Sequence, residues 1–249
     1  MKILATYNIK GGVGKTATAV NLAYLAARNG YRVLLWDLDP QAAATFLFRV
    51  RPRVKGGGKG LIQGTRSLDA AIKGTDYDHL DLLPADFTYR NLDLLLDAAR
   101  KPARKLGRLL GPLRSEYDVV FLDCPPSFSL LSESVLHAAD TLLVPLIPTT
   151  LSVRTLDQLT EFIAGFDGQR PVILAFFSMI DRRKRLHKEI AEQLPGQRSD
   201  VAATAIPALS LIEQMSVRRA PVTAFAPRSS AARSYAQLWA EARARAGLS

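Results

Sequence analysis

The sequence predicts an α/β fold, a doubly wound and mostly parallel sheet flanked by helices, formed as a single domain over residues 1–249. Three observations predict it. Short apolar runs typical of buried parallel strands alternate with helical patterns along the chain. A glycine-rich loop follows the first apolar run and opens the first helix. Acidic residues follow two later runs, at the sheet edge where ligands of open α/β sheets bind.

The predicted elements begin with a strand, a helix and a second strand. Residues 3–5 are a short apolar run, and residues 15–29 carry apolar side chains at helical spacing until Gly30 ends the helix. Residues 31–36 include the apolar sequence VLLW, which is typical of a strand buried on both faces. Residues 234–247 form a predicted C-terminal helix whose apolar side chains we expect to pack on the domain.

The loop after the first strand has the composition of a phosphate-binding loop. Its glycines let consecutive backbone N–H groups point at phosphate oxygens, next to the positive end of a helix. Ile9 stands where the usual pattern has its first glycine, and an extra lysine, Lys10, follows it. We expect Lys15 to reach the β- and γ-phosphates and the Thr16 hydroxyl to bind Mg²⁺. The predicted nucleotide contacts are Gly11, Gly12, Val13, Gly14, Lys15, Thr16 and Ala17.

Acidic residues follow the second strand and a third apolar strand at residues 119–122. Asp37 and Asp39 come after the second strand, and Asp123 ends the third. An aspartate in the last position, beside a phosphate loop, is the Walker B arrangement that holds Mg²⁺. The sequence therefore predicts Asp123 and Thr16 as metal-binding residues, with Asp39 as a further candidate acting through water.

The chain resembles the ParA/MinD group of P-loop ATPases with deviant Walker A loops, and it is more similar to the ParA side. The resemblance extends through nearly the whole chain, in the segments KGGVGKT, DLDPQAAAT, LDLLPA, YDVVFLDCPPS, LLVPLIPT and APRSSAARSY. It implies an ATP-dependent homodimer with two nucleotides sandwiched between the subunits. Lys10 matches the lysine that reaches the partner's nucleotide, and Asp39 matches the acid that positions the attacking water. With Lys15, these form the predicted catalytic set.

The resemblance also bears on the nucleotide base. Guanine-specific relatives carry Asn-Lys-x-Asp after a late strand, whereas the matching segment here, at residues 178–181, reads Ser-Met-Ile-Asp. The missing asparagine and lysine favour ATP over GTP. By analogy with the family, Met179 and Pro207 line the adenine pocket, although ordinary packing explains them equally well.

The formal net charge of +10 favours a polyanionic partner. Basic residues form four clusters without neighbouring acids, at residues 49–66, 100–114, 182–188 and 218–233. No base-reading module is evident, so we expect DNA binding without sequence preference. The arginines that many ParA proteins carry after Ile-Pro are replaced here by Ala208-Leu209-Ser210-Leu211. The predicted DNA-binding candidates are therefore Arg182, Arg183, Arg185, Arg218 and Arg219.

The segment at about 49–66 is longer and more basic than the family leads us to expect. We interpret it as an insertion-like loop that binds DNA, docks a partner or is simply mobile. The single cysteine, Cys124, excludes an intramolecular disulfide and fits a cytosolic protein. No apolar stretch is long enough to span a bilayer, so we expect no stable membrane insertion.

Three function classes follow from these features. The favoured one is a cytoplasmic, nucleoid-associated ATPase that positions a plasmid, a chromosome or a protein assembly, with slow hydrolysis stimulated by a ParB-like or other partner. The second is a MinD-like ATPase on a membrane or scaffold, which would need an amphipathic C-terminal segment. The third is a metabolic ATP-dependent enzyme, and Lys10 and the DLDPQ segment argue against it.

Overall fold

A computed structural model describes residues 1–181 and 183–248, which contain one seven-stranded, mostly parallel sheet. The strands are β1 (Lys2–Thr6), β2 (Val33–Asp37), β3 (Lys73–Gly74), β4 (Leu80–Leu83), β5 (Val119–Asp123), β6 (Thr141–Leu146) and β7 (Val172–Phe177). They lie in the order β3-β4-β2-β5-β1-β6-β7, and only the β3–β4 pair is antiparallel. The order places β1 between β5 and β6, so the loop that follows β1 lies at the middle of the sheet edge.

Helices follow most of the strands. They are α1 (Lys15–Arg28), α2 (Ala43–Leu47), α3 (Gly57–Ile62), α4 (Leu92–Asp97), α5 (Lys105–Leu110), α6 (Leu130–Ala138), α7 (Thr150–Ala164), α8 (Arg185–Gln197), α9 (Ser210–Arg218), α10 (Val222–Phe225) and α11 (Ser230–Ala246). Within the described part of the chain, none of them combines the length and apolar character that a bilayer crossing requires.

The sheet has an apolar cluster on each face. Ile3 and Leu34 belong to the cluster that includes side chains of α4 to α7, whereas Leu4 and Leu35 belong to the cluster formed with α1 and α11. Successive strand residues point to opposite faces, so a strand buried on both faces must be apolar throughout. The predicted fold class, a mostly parallel sheet with flanking helices, is confirmed.

The ends of the predicted elements differ from the observed ones by a few residues. Helix α1 ends at Arg28, and Gly30 follows with a φ of 89°, in the left-handed region that glycine tolerates. Strand β2 begins at Val33 rather than at residue 31 and includes Asp37. Helix α11 begins at Ser230, and its apolar side chains are buried against the domain as expected.

The basic segment 49–66 differs from the expected loop because it contains helix α3 and is firmly packed. The Asp86 carboxylate accepts hydrogen bonds from the Val54 amide at 2.8 Å and the Thr88 hydroxyl at 2.7 Å. That hydroxyl accepts a hydrogen bond from the Gly58 amide at 2.8 Å. Burial raises the pKa of Asp86, but the hydrogen bonds from Thr88 and Val54 outweigh it and lower the pKa overall. The segment thus has a folded helix and specific hydrogen bonds, whereas its interpretation as a DNA-binding, partner-docking or mobile insertion stays a prediction.

The close packing of α3 predicts that Gly57→Ala destabilises the protein by about 2 kcal/mol. Gly57 has a φ of 59°, and an added Cβ would lie 2.7 Å from the Thr88 hydroxyl oxygen. The methyl group would displace the hydroxyl that holds the Gly58 amide. Urea unfolding measures the change. Gly111→Ala is the control, because nothing lies within 4 Å of its added Cβ, and an equal effect of both substitutions would contradict the prediction.

Candidate functional site

The sheet register brings the end of the first strand and both acidic strand ends together. Asp123, at the end of β5, has two neighbours in the sheet: Thr6 on β1 and Asp37 on β2. The glycine-rich loop starts directly after β1, at the same carboxyl edge. Parallel strands thus place the loop and the acids around one site, as the sequence predicts.

The loop conformation depends on its glycines. Gly12 and Gly14 have φ values of 69° and 93°, in the left-handed region. A Cβ on Gly14 would lie 2.8 Å from the Ser178 hydroxyl oxygen, so the loop also approaches the end of β7 closely. The Asn8 side chain fixes the loop entrance, because it donates to the Pro145 carbonyl at 2.8 Å and accepts from the Lys10 amide at 2.9 Å.

Lys15 is the first residue of α1, and its side chain is buried within the loop. Its Nζ donates to the Lys10 carbonyl at 2.9 Å, so the ammonium group lies inside the ring of loop residues. Burial lowers the pKa of Lys15, while the negative charges of Asp123 and Asp39 act in the opposite direction. A phosphate group entering the loop would therefore stabilise the charged form of a partly desolvated lysine.

The Asp123 carboxylate is fully buried and incompletely satisfied. Its Oδ1 accepts a long hydrogen bond of 3.3 Å from the Thr6 hydroxyl, and its Oδ2 has no hydrogen-bond partner in the described residues. Burial and then the charge of Asp37 raise the pKa of Asp123 well above its usual range, against the effect of the nearby Thr16 hydroxyl. A buried carboxylate oxygen without a donor is suited to a cation.

This donor set fits Mg²⁺. Thr16 and Asp123 would hold the ion, which when bound neutralises part of the charge on the nucleotide phosphates. Among residues 1–181 and 183–248, no three His, Cys, Asp or Glu side chains are grouped to hold a metal. The remaining ligands would thus be water and phosphate oxygens, as is usual for Mg²⁺ at nucleotide sites.

Asp37 and Asp39 have different environments although both follow β2. The Asp37 Oδ2 accepts hydrogen bonds from the Thr45 amide at 2.8 Å and its hydroxyl at 2.7 Å, and Oδ1 accepts from the Asp39 amide at 3.2 Å. Burial raises the pKa of Asp37 to about 6, although these hydrogen bonds oppose the shift. Asp39 is half-buried and lines the cleft, where its carboxylate accepts from the Gln41 amide at 2.9 Å. Asp37 therefore holds the segment that presents Asp39.

The phosphate loop opens into a cleft of about 360 Å³. Met179 and Pro207 both line it, as the resemblance implies, and a parallel bridge between Ile180 and Pro207 brings their segments together. Met179 has a φ of 57°, an uncommon conformation for a non-glycine residue. Whether Met179 and Pro207 contact adenine stays a prediction.

Sequence reasoning missed several residues that line the cleft. Ser178 directly follows β7, so the rule that ligands bind at strand ends could have identified it. Leu209 and Ile212 come from the start of the α9 region, and no pattern in the sequence indicates their place. The Asp181 carboxylate is bound by the Arg183 guanidinium at 2.9 Å and does not line this cleft, and the preference for ATP over GTP stays a prediction.

The arginines predicted to bind DNA that the structure describes lie in two separate regions. Arg182 lies outside the described residues. Arg183 pairs with Asp181 at 2.9 Å and Arg185 pairs with Glu189 at 2.6 Å, so these two arginines of the 182–188 cluster have acidic partners. Whether they bind DNA stays a prediction. Arg218 and Arg219 lie instead against the segment around residue 49.

The strand–loop–helix geometry, the buried lysine and the strand-end aspartate define a P-loop nucleotide-binding protein. The family model described as an AAA domain matches residues 1–173. A "ParA family protein" of Chlamydia muridarum is 31% identical over 250 residues, which cover 97% of each chain. The "Chromosome partitioning protein ParA" of Myxococcus xanthus is 33% identical over 202 residues, covering 78% of this chain and 71% of the relative.

The solved structures agree with these relatives. Cobyrinic acid a,c-diamide synthase from Mycobacterium smegmatis, with a bound ATP analogue and magnesium, superposes with a TM-score of 0.75 at 28% identity, covering 88% of this chain and 91% of that one. Nucleotide and Mg²⁺ thus bind to this fold. The chain belongs to the ParA family, a branch of the ParA/MinD-type P-loop ATPases.

Proposed function

We propose that this chain is a partition-type ATPase of the cytoplasm that acts on the nucleoid. ATP drives formation of a homodimer with two sandwiched nucleotides, and the dimer binds duplex DNA without sequence preference. A ParB-like or other partner protein then stimulates hydrolysis and release, which positions a plasmid, a chromosome or a protein assembly. The observation that supports it most is the cleft where Lys15, Thr16 and Asp39 converge beside Lys10.

The proposed reaction is an in-line attack of water on the γ-phosphorus. The new P–O bond forms as the bond to the β–γ bridging oxygen breaks, which leaves ADP and phosphate. Lys15 neutralises charge on the β- and γ-phosphates, and Asp39 orients the attacking water. None of the described residues that line the cleft is an arginine, which supports slow hydrolysis without a partner because arginine fingers contribute about 10³- to 10⁵-fold.

Two features support the dimer. The Lys10 backbone is fixed by Asn8 and Lys15, while its side chain is half-exposed and forms no hydrogen bond or ion pair with the described residues. An apolar groove of about 270 Å³ adjoins the loop entrance, lined by Ile9, Phe128 and other apolar side chains. Phe128 is 64% exposed, and a second subunit would bury it.

The MinD-like alternative, with a membrane or scaffold as the surface, receives less support. The bulky residues of α11, Tyr235, Leu238 and Trp239, are packed into the apolar cluster of the domain. They therefore cannot serve as the apolar face of a membrane-bound helix without unfolding that part of the core.

Lys10→Ala tests the proposal. We expect the wild-type protein to double its mass with Mg-ATP but not with ADP, and to bind non-specific duplex DNA only with ATP. The variant should bind ATP within about threefold of the wild type, yet need at least about tenfold more protein to dimerise, because it loses a charge-assisted contact. Mass photometry and fluorescence anisotropy measure both steps.

Lys73→Ala removes an exposed lysine on the edge strand β3 and serves as the control. Dimerisation of the Lys10 variant at the wild-type concentration would contradict the cross-subunit role. Equal DNA binding with ATP and ADP would contradict the nucleotide-driven cycle.

A further inference from the structure

Two basic clusters that are far apart in the sequence form one surface. The Arg219 Nε donates to the Phe46 carbonyl at 3.0 Å, and its guanidinium lies 4.5 Å from the centre of the Phe46 ring. The Arg49 side chain donates to the Arg218 carbonyl at 3.4 Å. We call this the arginine surface, formed by Arg49, Arg51, Arg53, Arg218 and Arg219.

The arginine surface contains a concave region. Arg49, Arg51 and Arg219 line it together with the Phe46 ring and Pro52. Arg49 and Arg219 have φ values of 61° and 49°, in the left-handed region that arginine rarely adopts. Uncommon backbone conformations of this kind persist where the surroundings enforce them, and they concentrate at functional sites.

The charge of the arginine surface is poorly compensated. The chain has no acidic residue between Pro40 and Leu68, and Arg49 pairs with Asp76 at 3.2 Å. Arg51, Arg53 and Arg218 are exposed, and their side chains form no ion pair with the described residues. In contrast, Arg183 and Arg185 are each paired with a carboxylate. A concavity lined by three arginines, of which only Arg49 has a carboxylate partner among the described residues, is complementary to phosphate.

The arginine surface is directly connected to the nucleotide site. The Asp37 carboxylate, at the end of β2, holds both the amide and the hydroxyl of Thr45. Phe46, the next residue, contacts Arg219 in two ways: its carbonyl accepts a hydrogen bond from the Arg219 side chain, and its ring packs against the guanidinium. Only the short segment between Asp39 and α2 separates the proposed catalytic acid from this contact. A shift of Asp39 on ATP binding would therefore reach the arginine surface through a few bonded residues.

We propose that the arginine surface is where the ATP-bound protein contacts the phosphate backbone of duplex DNA. This inference rests on the proposed function and assigns its DNA contact to residues 49–53 and 218–219. The basic 100–114 segment is the other extensive one, but its helix α5 packs in the apolar cluster on the sheet face opposite α1 and α2, whereas the Arg219–Phe46 contact lies beside α2. Duplex phosphates fit because binding them needs only positive charge in reach, without readout of bases.

The test is binding of the full-length protein to a labelled duplex of about 30 base pairs, with Mg-ATP or Mg-ADP, across a salt series. The variant is Arg51→Glu with Arg218→Glu, because both side chains are exposed. We expect at least about tenfold weaker binding in ATP and a salt slope smaller by about 2, corresponding to two lost phosphate contacts. The glutamine double variant, at the same positions, should show the smaller slope without added repulsion.

Arg104→Glu with Arg108→Glu is the matched control, since it reverses the same number of charges in the 100–114 cluster. If the wild-type protein binds DNA with ATP, and the Arg51 and Arg218 double variants bind it with the same affinity and salt slope, the inference is overturned while the proposed function stands. Absence of wild-type DNA binding in both nucleotide states would overturn both. Binding to vesicles that contain phosphatidylglycerol is measured in parallel. Tighter binding of the ATP-bound protein to these vesicles than to DNA would also overturn the inference.

Discussion

Replacing Lys15 by alanine is expected to weaken binding of Mg-ATP by about 100-fold, which corresponds to about 3 kcal/mol. The side chain is buried in the loop and its Nζ already lies 2.9 Å from the Lys10 carbonyl, so its ammonium group is aligned before the nucleotide arrives. Alanine would remove the charge that meets the β- and γ-phosphates. Isothermal titration with a non-hydrolysable ATP analogue measures the loss.

The variant should remain folded. Lys15 forms no ion pair in the described structure, and burial lowers its pKa, so its charged form is a cost to the nucleotide-free protein rather than a source of stability. Loss of this desolvation cost offsets the lost hydrogen bond to the Lys10 carbonyl, so we expect an unfolding midpoint without nucleotide close to the wild-type value. Lys73→Ala, on the exposed edge strand, should bind like the wild type. Unchanged affinity of the Lys15 variant would reject the phosphate-loop assignment.

The sequence was sufficient to predict the fold and the phosphate side of the site, because local rules govern both. A strand buried on two faces must be apolar, and a loop that wraps a phosphate must contain glycine and a following helix. Parallel pairing then requires the ends of β1, β2 and β5 to meet at one edge. The sequence alone therefore predicts that Asp37, Asp39 and Asp123 lie close together.

The same rules could not separate the roles of Asp37 and Asp39. Both are strand-end aspartates two positions apart, and the difference arises from a residue farther along the chain. Thr45 turns back and binds Asp37 with its amide and hydroxyl, which leaves Asp39 to line the cleft. This contact depends on where α2 lies in three dimensions, and no short-range pattern encodes it.

The basic segments show a similar limit. Charge clusters are visible in a sequence, but the contacts between distant clusters are a property of tertiary structure. Arg183 and Arg185 have carboxylate partners within a few residues, whereas Arg49 donates to the carbonyl of Arg218, from the other end of the chain. Helix α3 in the segment 49–66 buries Leu61 and Ile62, and its glycines approach Thr88 and Leu92 closely, a tertiary fit that a short glycine-rich stretch does not indicate in the sequence.

Asp39→Ala is expected to slow ATP hydrolysis by about 100-fold or more while ATP affinity stays within about threefold of the wild type. In the proposed site Lys15 and the loop amides bind the phosphates and Asp123 holds Mg²⁺, so we do not expect the Asp39 carboxylate to be needed for ATP binding. Its expected task is to orient the attacking water, a contribution that exists only in the transition state. Loss of such an interaction lowers kcat and leaves binding nearly unchanged.

Single-turnover release of phosphate measures the slowed step, and mass photometry should show that the variant accumulates as an ATP-bound dimer. Asp167→Ala, which removes an exposed aspartate after α7, is the control for a lost surface charge. Because the Asp37 carboxylate holds the segment through the Asp39 amide and Thr45, the backbone should keep its position in the Asp39 variant. Rapid turnover would thus remove the Asp39 side chain from the mechanism, and weak ATP binding would instead assign it to the nucleotide contacts.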